Sequence, residues 1–593
     1  MSAASVSLPR WDLSDLYPGY DSPGFKGDLT RAAKDAAAFE DKYKGKVTAL
    51  DAAGLLGLIH DYEALEELIG RLGSFAGLAY ASDMADEKSV QHYGNTQGAL
   101  NDLGTHLIFL DLELNQIEDD ALAGFYAAND DLARYRPWLD HIRAMKPYQL
   151  DEQLETLLHE KSATGRQAMM RLFDETTANM TVSLGGKDVP MEEALNQTMD
   201  ADGKKREVAA TALSQVFQDN QRLFTLVTNT LAKDKAIEDK WRDLPAPNSG
   251  RHLANQVEPE VVDALRQAVQ SSYKNISHRY YALKAKWLGV DQLNFWDRNA
   301  PLPDADERKI PWSDAQSTVL DAYGGFASPM ADLAKNFFDK PWIDAELRVG
   351  KSPGAFSHPT VPSAHPYVLL NYQGTVRDVM TLAHELGHGV HQLLAAEQGA
   401  LLADTPLTLA ETASVFGEML TFRSMLNKTE DPKTRRIMLA NKVEDMINTV
   451  VRQIAFYEFE LRLHDARKQG ELSAADIGQL WMTVQSESLG PAIKLNEGYE
   501  TWWCYIPHFI HSPFYVYAYA FGDCLVNALY QTYEEAEDGF AERYFDMLRA
   551  GGTKRHKELL APFGLDASDP AFWHRGLNLI SGFIDELEAD LEG

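Results

Sequence analysis

The chain has 593 residues, 45% of them hydrophobic, so it can bury large cores, and its length alone allows roughly two to four domains. A formal net charge of −32, from 56 Lys and Arg against 88 Asp and Glu, argues against nucleic acid and anionic membrane as partners. The only two cysteines, Cys504 and Cys524, make neither a disulfide framework nor a zinc-knuckle spacing, and the opening residues lack the regions of a secretory signal; a cytoplasmic protein is expected. Along the chain, helical periodicity dominates. Leu58, Tyr62, Leu65, Ile69 and Leu72 follow helical spacing. Thr181 to Val189 reads as a hairpin turning at Gly185-Gly186. Residues 258–287 read as one long helix with Pro259 in its first turn and a stop at Gly289, and the polar stretch from Pro301 to Pro311 as a loop. A boundary near residue 200 is expected to separate an N-terminal helical lobe, 1–200, from a second lobe, 201–593. Tyr367-Val-Leu-Leu-Asn-Tyr372 reads as a short buried strand, ended by Gly374 before a helix that starts near Arg377. Such a strand either offers its edge to an extended peptide or is an ordinary hairpin edge. No internal repeat, low-complexity tract or apolar run of membrane-spanning length is present.

Residues 384–388 read His-Glu-Leu-Gly-His. On a helix, positions four apart project from one face, so His384 and His388 can reach a single Zn²⁺, with Glu385 beside them to take a proton from water that the ion has made acidic. Gly387 and Gly389 lie inside the same predicted helix, where each costs about 1 kcal/mol relative to Ala; something must approach the helix closely, another helix or a substrate. A catalytic zinc normally has three protein ligands. The helical stretch Thr408 to Phe422 carries Glu411 and Glu418, two turns apart; either could ligate the ion while the other holds a ligand histidine by a hydrogen bond. His391, three residues after His388, has the wrong spacing for a third histidine ligand and fits a core or supporting role.

Ile506 to Gly522 sets two histidines and three tyrosines in an otherwise apolar run. A tetrahedral intermediate needs donors aimed at its oxyanion, which Tyr hydroxyl or imidazole N–H can supply; a core helix whose tyrosines point at backbone has the same pattern. The spacing 515, 517, 519 leaves more than one register. Tyr515 and Tyr519, four apart on one face, are favoured, together with His508.

His-Glu-Leu-Gly-His-Gly-Val-His followed by Ala-Glu-Thr-Ala-Ser-Val-Phe-Gly-Glu resembles the signature of the oligoendopeptidase F branch of the thimet-oligopeptidase-like zinc metallopeptidases. The likeness extends to Trp11-Asp-Leu-Ser-Asp-Leu-Tyr17 and to Trp502–Gly522, and so spans essentially the whole chain. It implies His384, His388 and Glu411 as ligands of one Zn²⁺, Glu385 as general base, Glu418 behind the ligands, and a histidine and tyrosines of the 506–522 segment as oxyanion donors, for which His508, Tyr515 and Tyr519 are the favoured choice. The implied fold is mostly α, two helical lobes enclosing a substrate channel, with a small β-sheet beside the zinc-binding helix. The implied activity is hydrolysis of internal bonds in short unfolded peptides, with no obligatory protein partner. A dipeptidyl carboxypeptidase or other exopeptidase would use the same metal site, and an acidic helical binding protein with a vestigial motif is the reading from another class.

Overall fold

The computed structural model describes residues 8–303, 309–535 and 538–592; the middle of the expected loop at 301–311 therefore lies outside the described residues. Helices make up most of the chain. Among the described residues seven short strands accompany them: β1 Thr181–Leu184, β2 Lys187–Pro190, β3 Leu293–Asn294, β4 Ile343–Asp344, β5 Phe356–His358, β6 Tyr367–Leu369 and β7 Ile493–Lys494. The chain forms two compact units, each drawn from three segments. The first holds Met1–Lys146, Glu307–Lys428 and Tyr533–Gly564, the second Pro147–Asp306, Thr429–Thr532 and Leu565–Gly593. Residue 200, the expected boundary, lies inside the second unit.

In the first unit, Asp51 caps the 31-residue helix Ala52–Ser82 by accepting from Gly54 N–H. Its stripe of Leu55, Leu58 and Ile59 is fully buried against Phe39, Phe109 and Leu110. Burial at about 1.5–3 kcal/mol per large apolar side chain is what holds so long a helix in place. The three-stranded sheet of this unit has the order β4-β6-β5, with β6 parallel to β4 and antiparallel to β5. The segment expected to offer an edge, Tyr367–Tyr372, thus contributes the central strand. Tyr367, Val368 and Leu369 are fully buried, the last two are paired on both sides, and β4 and β5 are the two edges of the sheet. Trp11, from the opening motif, packs its ring against Tyr367 and Phe356 at centroid distances of 5.9 and 6.3 Å.

In the second unit the hairpin β1-β2 turns at Gly185 and Gly186, both with positive φ, as expected. The run expected to be one helix over 258–287 is two, Pro259–Ser272 and Ser277–Trp287; the chain breaks at Ile276, whose φ of −113° and ψ of −88° are not helical. Periodicity carries across such a break because both helices bury one face. Among the described residues no helix is long and apolar enough to cross a membrane.

Candidate active site

Helix Val376–Ala395 begins with a capping box, Thr375 accepting from Asp378 N–H while the Asp378 carboxylate accepts from Thr375 N–H. It presents His384 and His388 on one face. The third group comes from a break between two helices: Leu407–Ala410 ends, Glu411 sits at φ −78° and ψ 0°, and Thr412–Lys428 begins. Glu411 Oε2 stands 3.3 Å from His384 Nε2 and 3.5 Å from His388 Nε2. Ligand atoms placed tetrahedrally at about 2.0–2.2 Å from a divalent ion are about 3.3–3.6 Å apart, so the donor set and its spacing fit such an ion. One ligand atom from each of these three residues lies within 4.8 Å of the others, the one group of this kind among the described residues.

The neighbours of the triad orient it. His384 Nδ1 donates to Glu418 Oε2 at 3.3 Å, which leaves Nε2 free to ligate. The backbone of Ala410 favours the protonated form of both His388 and His391, against the burial that lowers them. His391 is buried and outside the ligand cluster, which is the supporting place its spacing indicated. Tyr323, fully buried, donates to the Ala383 carbonyl at 2.5 Å, and Tyr544 donates to the Thr412 carbonyl at 3.0 Å; both brace the backbone next to a ligand.

The close approach anticipated from Gly387 and Gly389 is by protein. A Cβ on Gly387 would lie 2.6 Å from Ser414 Cα, and one on Gly389 2.5 Å from the Phe337 ring. The first of these glycines lets the backbone carrying Glu411 come near enough to His384 and His388.

Charge is concentrated here. Burial alone would lower His384, but the Glu411 and Glu418 carboxylates outweigh it and hold the imidazole up at about 10. His388 is pushed down to about 4 by burial. Burial would raise Glu411, yet the two histidines bring it down to about 2. Glu385, 7% exposed, is pushed up to about 7 by burial, with the Glu411 charge adding to the rise and His384 and the Ser357 N–H opposing it. A carboxyl poised near neutrality can both take and return a proton. That Ser357 N–H belongs to β5, so the edge strand adjoins Glu385.

The second unit brings together the other expected group. His508 Nε2 and the Tyr519 hydroxyl are 3.3 Å apart, and the Tyr515 and Tyr519 rings meet edge to face at 5.2 Å. Tyr517, the alternative register, is fully buried with its hydroxyl held by His252 and Asn255. His511 pairs with Asp174 at 2.8 Å. Sequence reasoning passed over Glu460, which is buried and accepts from the Phe514 N–H at 2.8 Å. That bond pins Phe514 at φ +60°, a left-handed conformation costly for a bulky side chain, immediately before Tyr515. No local signal marks it, because the partners are 54 residues apart.

A mostly helical scaffold with two imidazoles a turn apart, a glutamate from the break before a later helix and a neutral-range carboxyl defines a metallohydrolase. A family model described as Peptidase family M3 matches residues 200–579, and one described as Oligopeptidase F matches residues 113–181. The chain belongs to peptidase family M3, in its oligoendopeptidase F branch, and is a metallo-oligopeptidase. It is 25% identical to an oligoendopeptidase F homolog of Lactococcus lactis subsp. lactis (strain IL1403), over 98% of this chain and 97% of that one. It is 27% identical to oligopeptidase PepF of Bacillus subtilis (strain 168), over 98% and 86%. The fold matches the crystal structure of oligoendopeptidase-F from Enterococcus faecium with a TM-score of 0.71 at 20% identity, covering 96% of this chain and 99% of that one.

Proposed function

We propose that the protein is a zinc endopeptidase that cleaves internal bonds of short unfolded peptides, with His384, His388 and Glu411 as the metal ligands. The observation that carries this reading is the conjunction of the triad, at zinc-ligand spacing, with Glu385 and the edge strand β5 beside it. When bound, the ion supplies Lewis acidity, making water acidic and polarising the scissile carbonyl. An extended peptide adds to the outer edge of β5 by main-chain hydrogen bonds, displacing Gln392, whose Nε2 donates to the Ser357 carbonyl at 3.2 Å. Glu385 takes the proton from the attacking water and passes it to the leaving amine, a task suited to a carboxyl near pH 7. His508, Tyr515 and Tyr519 are proposed as donors to the oxyanion through imidazole N–H and phenol O–H groups. A reducing cytoplasm is part of the reading, supported by two cysteines that are both buried and unpaired.

The test is digestion of a random peptide library, with both ends of every peptide blocked, by protein whose metal content has been measured. Cleavage that disappears on chelation and returns with Zn²⁺ is the expected outcome. Cleavage only of peptides with a free terminus would make the enzyme an exopeptidase, and the endopeptidase assignment would fall.

A further inference from the structure

A cavity of about 340 Å³ in the first unit opens against the metal helix, within the size range of ligand sites. Its floor is the C-terminal half of that helix, from His388 through Gln392 to Ala395, and Ala410, next to Glu411, also lines it. The opposite wall is the loop that leaves β5, with Pro359, Val361 and Pro362 facing in. The cavity therefore touches a metal ligand on one side and continues the edge strand on the other.

The wall is built rather than loose. Thr360 N–H donates to His358 Nδ1 at 3.0 Å and its hydroxyl to the His365 carbonyl at 2.9 Å. Ser363 N–H donates to Glu67, and His365 pairs with Asp15 at 3.0 Å while stacking on Trp342 at 3.8 Å. Thr360 itself has φ +60°, an outlier for a β-branched residue and one that persists only where surrounding contacts impose it. Most of the lining is alanine, proline and valine, but one carboxylate, Asp404, completes it. Asp404 is exposed and has no salt-bridge partner among the described residues; the surrounding protein raises its carboxyl, opposed by the Thr405 N–H and by His141. A cavity lined mostly by small apolar residues, with a solvated carboxylate among them, suits a side chain with an aliphatic stem and a cationic tip, because the stem is buried while the charge stays wet.

We propose that this cavity binds a lysine or arginine side chain of the peptide, on the amino-terminal side of the cleaved bond and within two residues of it. The proposal rests on the peptidase reading above. Its direction comes from β5: a peptide that displaces Gln392 from the Ser357 carbonyl and lies antiparallel on that edge has its amino-terminal residues beside the strand's end at His358, where the cavity wall starts.

A peptide found to be cleaved in the blocked library is remade with Arg, Lys, norleucine or Glu at each of the two positions before the bond and the one after it. At one of the two preceding positions, kcat/KM for Arg or Lys should exceed that for norleucine by about fivefold, the scale of a partly exposed ion pair, and Glu should be worst. In Asp404→Asn the ratio of Arg to norleucine should fall to about one. The ratio is read within one preparation, so it does not depend on how much of the variant folds. Ala403→Leu, which adds a side chain to the lining, should penalise all long side chains at that position while sparing alanine there. A basic preference only after the bond, or a ratio untouched by Asp404→Asn, overturns the proposal and leaves the peptidase reading standing. If the metal-replete protein cleaves no blocked peptide at all, both fall.

Discussion

Replacing Glu385 by Gln keeps the side chain's size and removes its ability to carry a proton, while His384, His388 and Glu411 are left in place. Metal content measured by mass spectrometry should be unchanged, and kcat should fall by about 10²–10⁴-fold, the usual worth of a general base. Near-parental turnover would mean that another group moves the proton. Glu418 meets His384 at the nitrogen turned away from the ligand position, so Glu418→Ala should weaken metal affinity by about 10–100-fold in a competition titration with a chelator, whereas Glu411→Ala should abolish stoichiometric metal. Glu460 makes a separate prediction. Its carboxyl is pushed up by burial from an ordinary 4.5 to about 8. Between those values the folded protein holds a proton that the unfolded chain has released, so this group makes stability fall as pH rises from about 4.5 to 8, and nothing further is lost above that. Glu460→Gln is neutral throughout; its stability relative to the parent should rise toward pH 8, by at most about 1.4 kcal/mol per pH unit, in urea denaturation at pH 5 and pH 8. Parallel curves would show that the carboxyl is ionised in the folded state.

Between helices, the metal centre depends on the contact that Gly387 permits. In Gly387→Ala the methyl group would lie 2.6 Å from Ser414 Cα, so the helix after Glu411 must shift; a loss of about 1–3 kcal/mol and of metal affinity is expected, measured by thermal unfolding and metal analysis. Gly582→Ala, in the helix Pro570–Glu592 with nothing within 4 Å of the new Cβ, is the control and should leave the metal in place. The same scale explains what could be read beforehand. The metal helix and the pairing of His384 with His388 follow from a four-residue spacing, and the two glycines already announced a close neighbour. The third ligand left a choice between Glu411 and Glu418, because residues two turns apart share a face on an unbroken helix; the break at Glu411 is set by packing and has no proline or glycine to mark it. The edge strand was assigned to the wrong segment for a similar reason. Tyr367–Leu369 is apolar and therefore conspicuous, but that is because it is buried between two partners, while β5, Phe-Ser-His, is too short for any period to appear. Tyr517 and Tyr519 differ only in what their hydroxyls meet, and those partners lie far away in sequence.

Over the whole molecule, each unit draws its core from segments far apart in sequence. The first unit joins residues before Lys146 to residues after Tyr533, and the second collects residues from Pro147 to the end of the chain. Hydrophobic periodicity reports which residues are buried but not which helices share a core, so this arrangement was not legible beforehand. A cut at residue 200 should therefore leave neither fragment a complete core: 1–200 and 201–593 expressed separately should show broad, noncooperative unfolding and rapid proteolysis, where the intact chain unfolds sharply. Two stable fragments would contradict the interleaving. The same connectivity has a consequence during synthesis. The first unit lacks part of its core until Gly564 has left the ribosome, and the second until the final helix has; nascent chains therefore carry uncovered apolar helix faces for almost the entire time of translation. Production of this enzyme should accordingly depend on chaperone capacity more steeply than that of a protein whose domains follow one another along the chain.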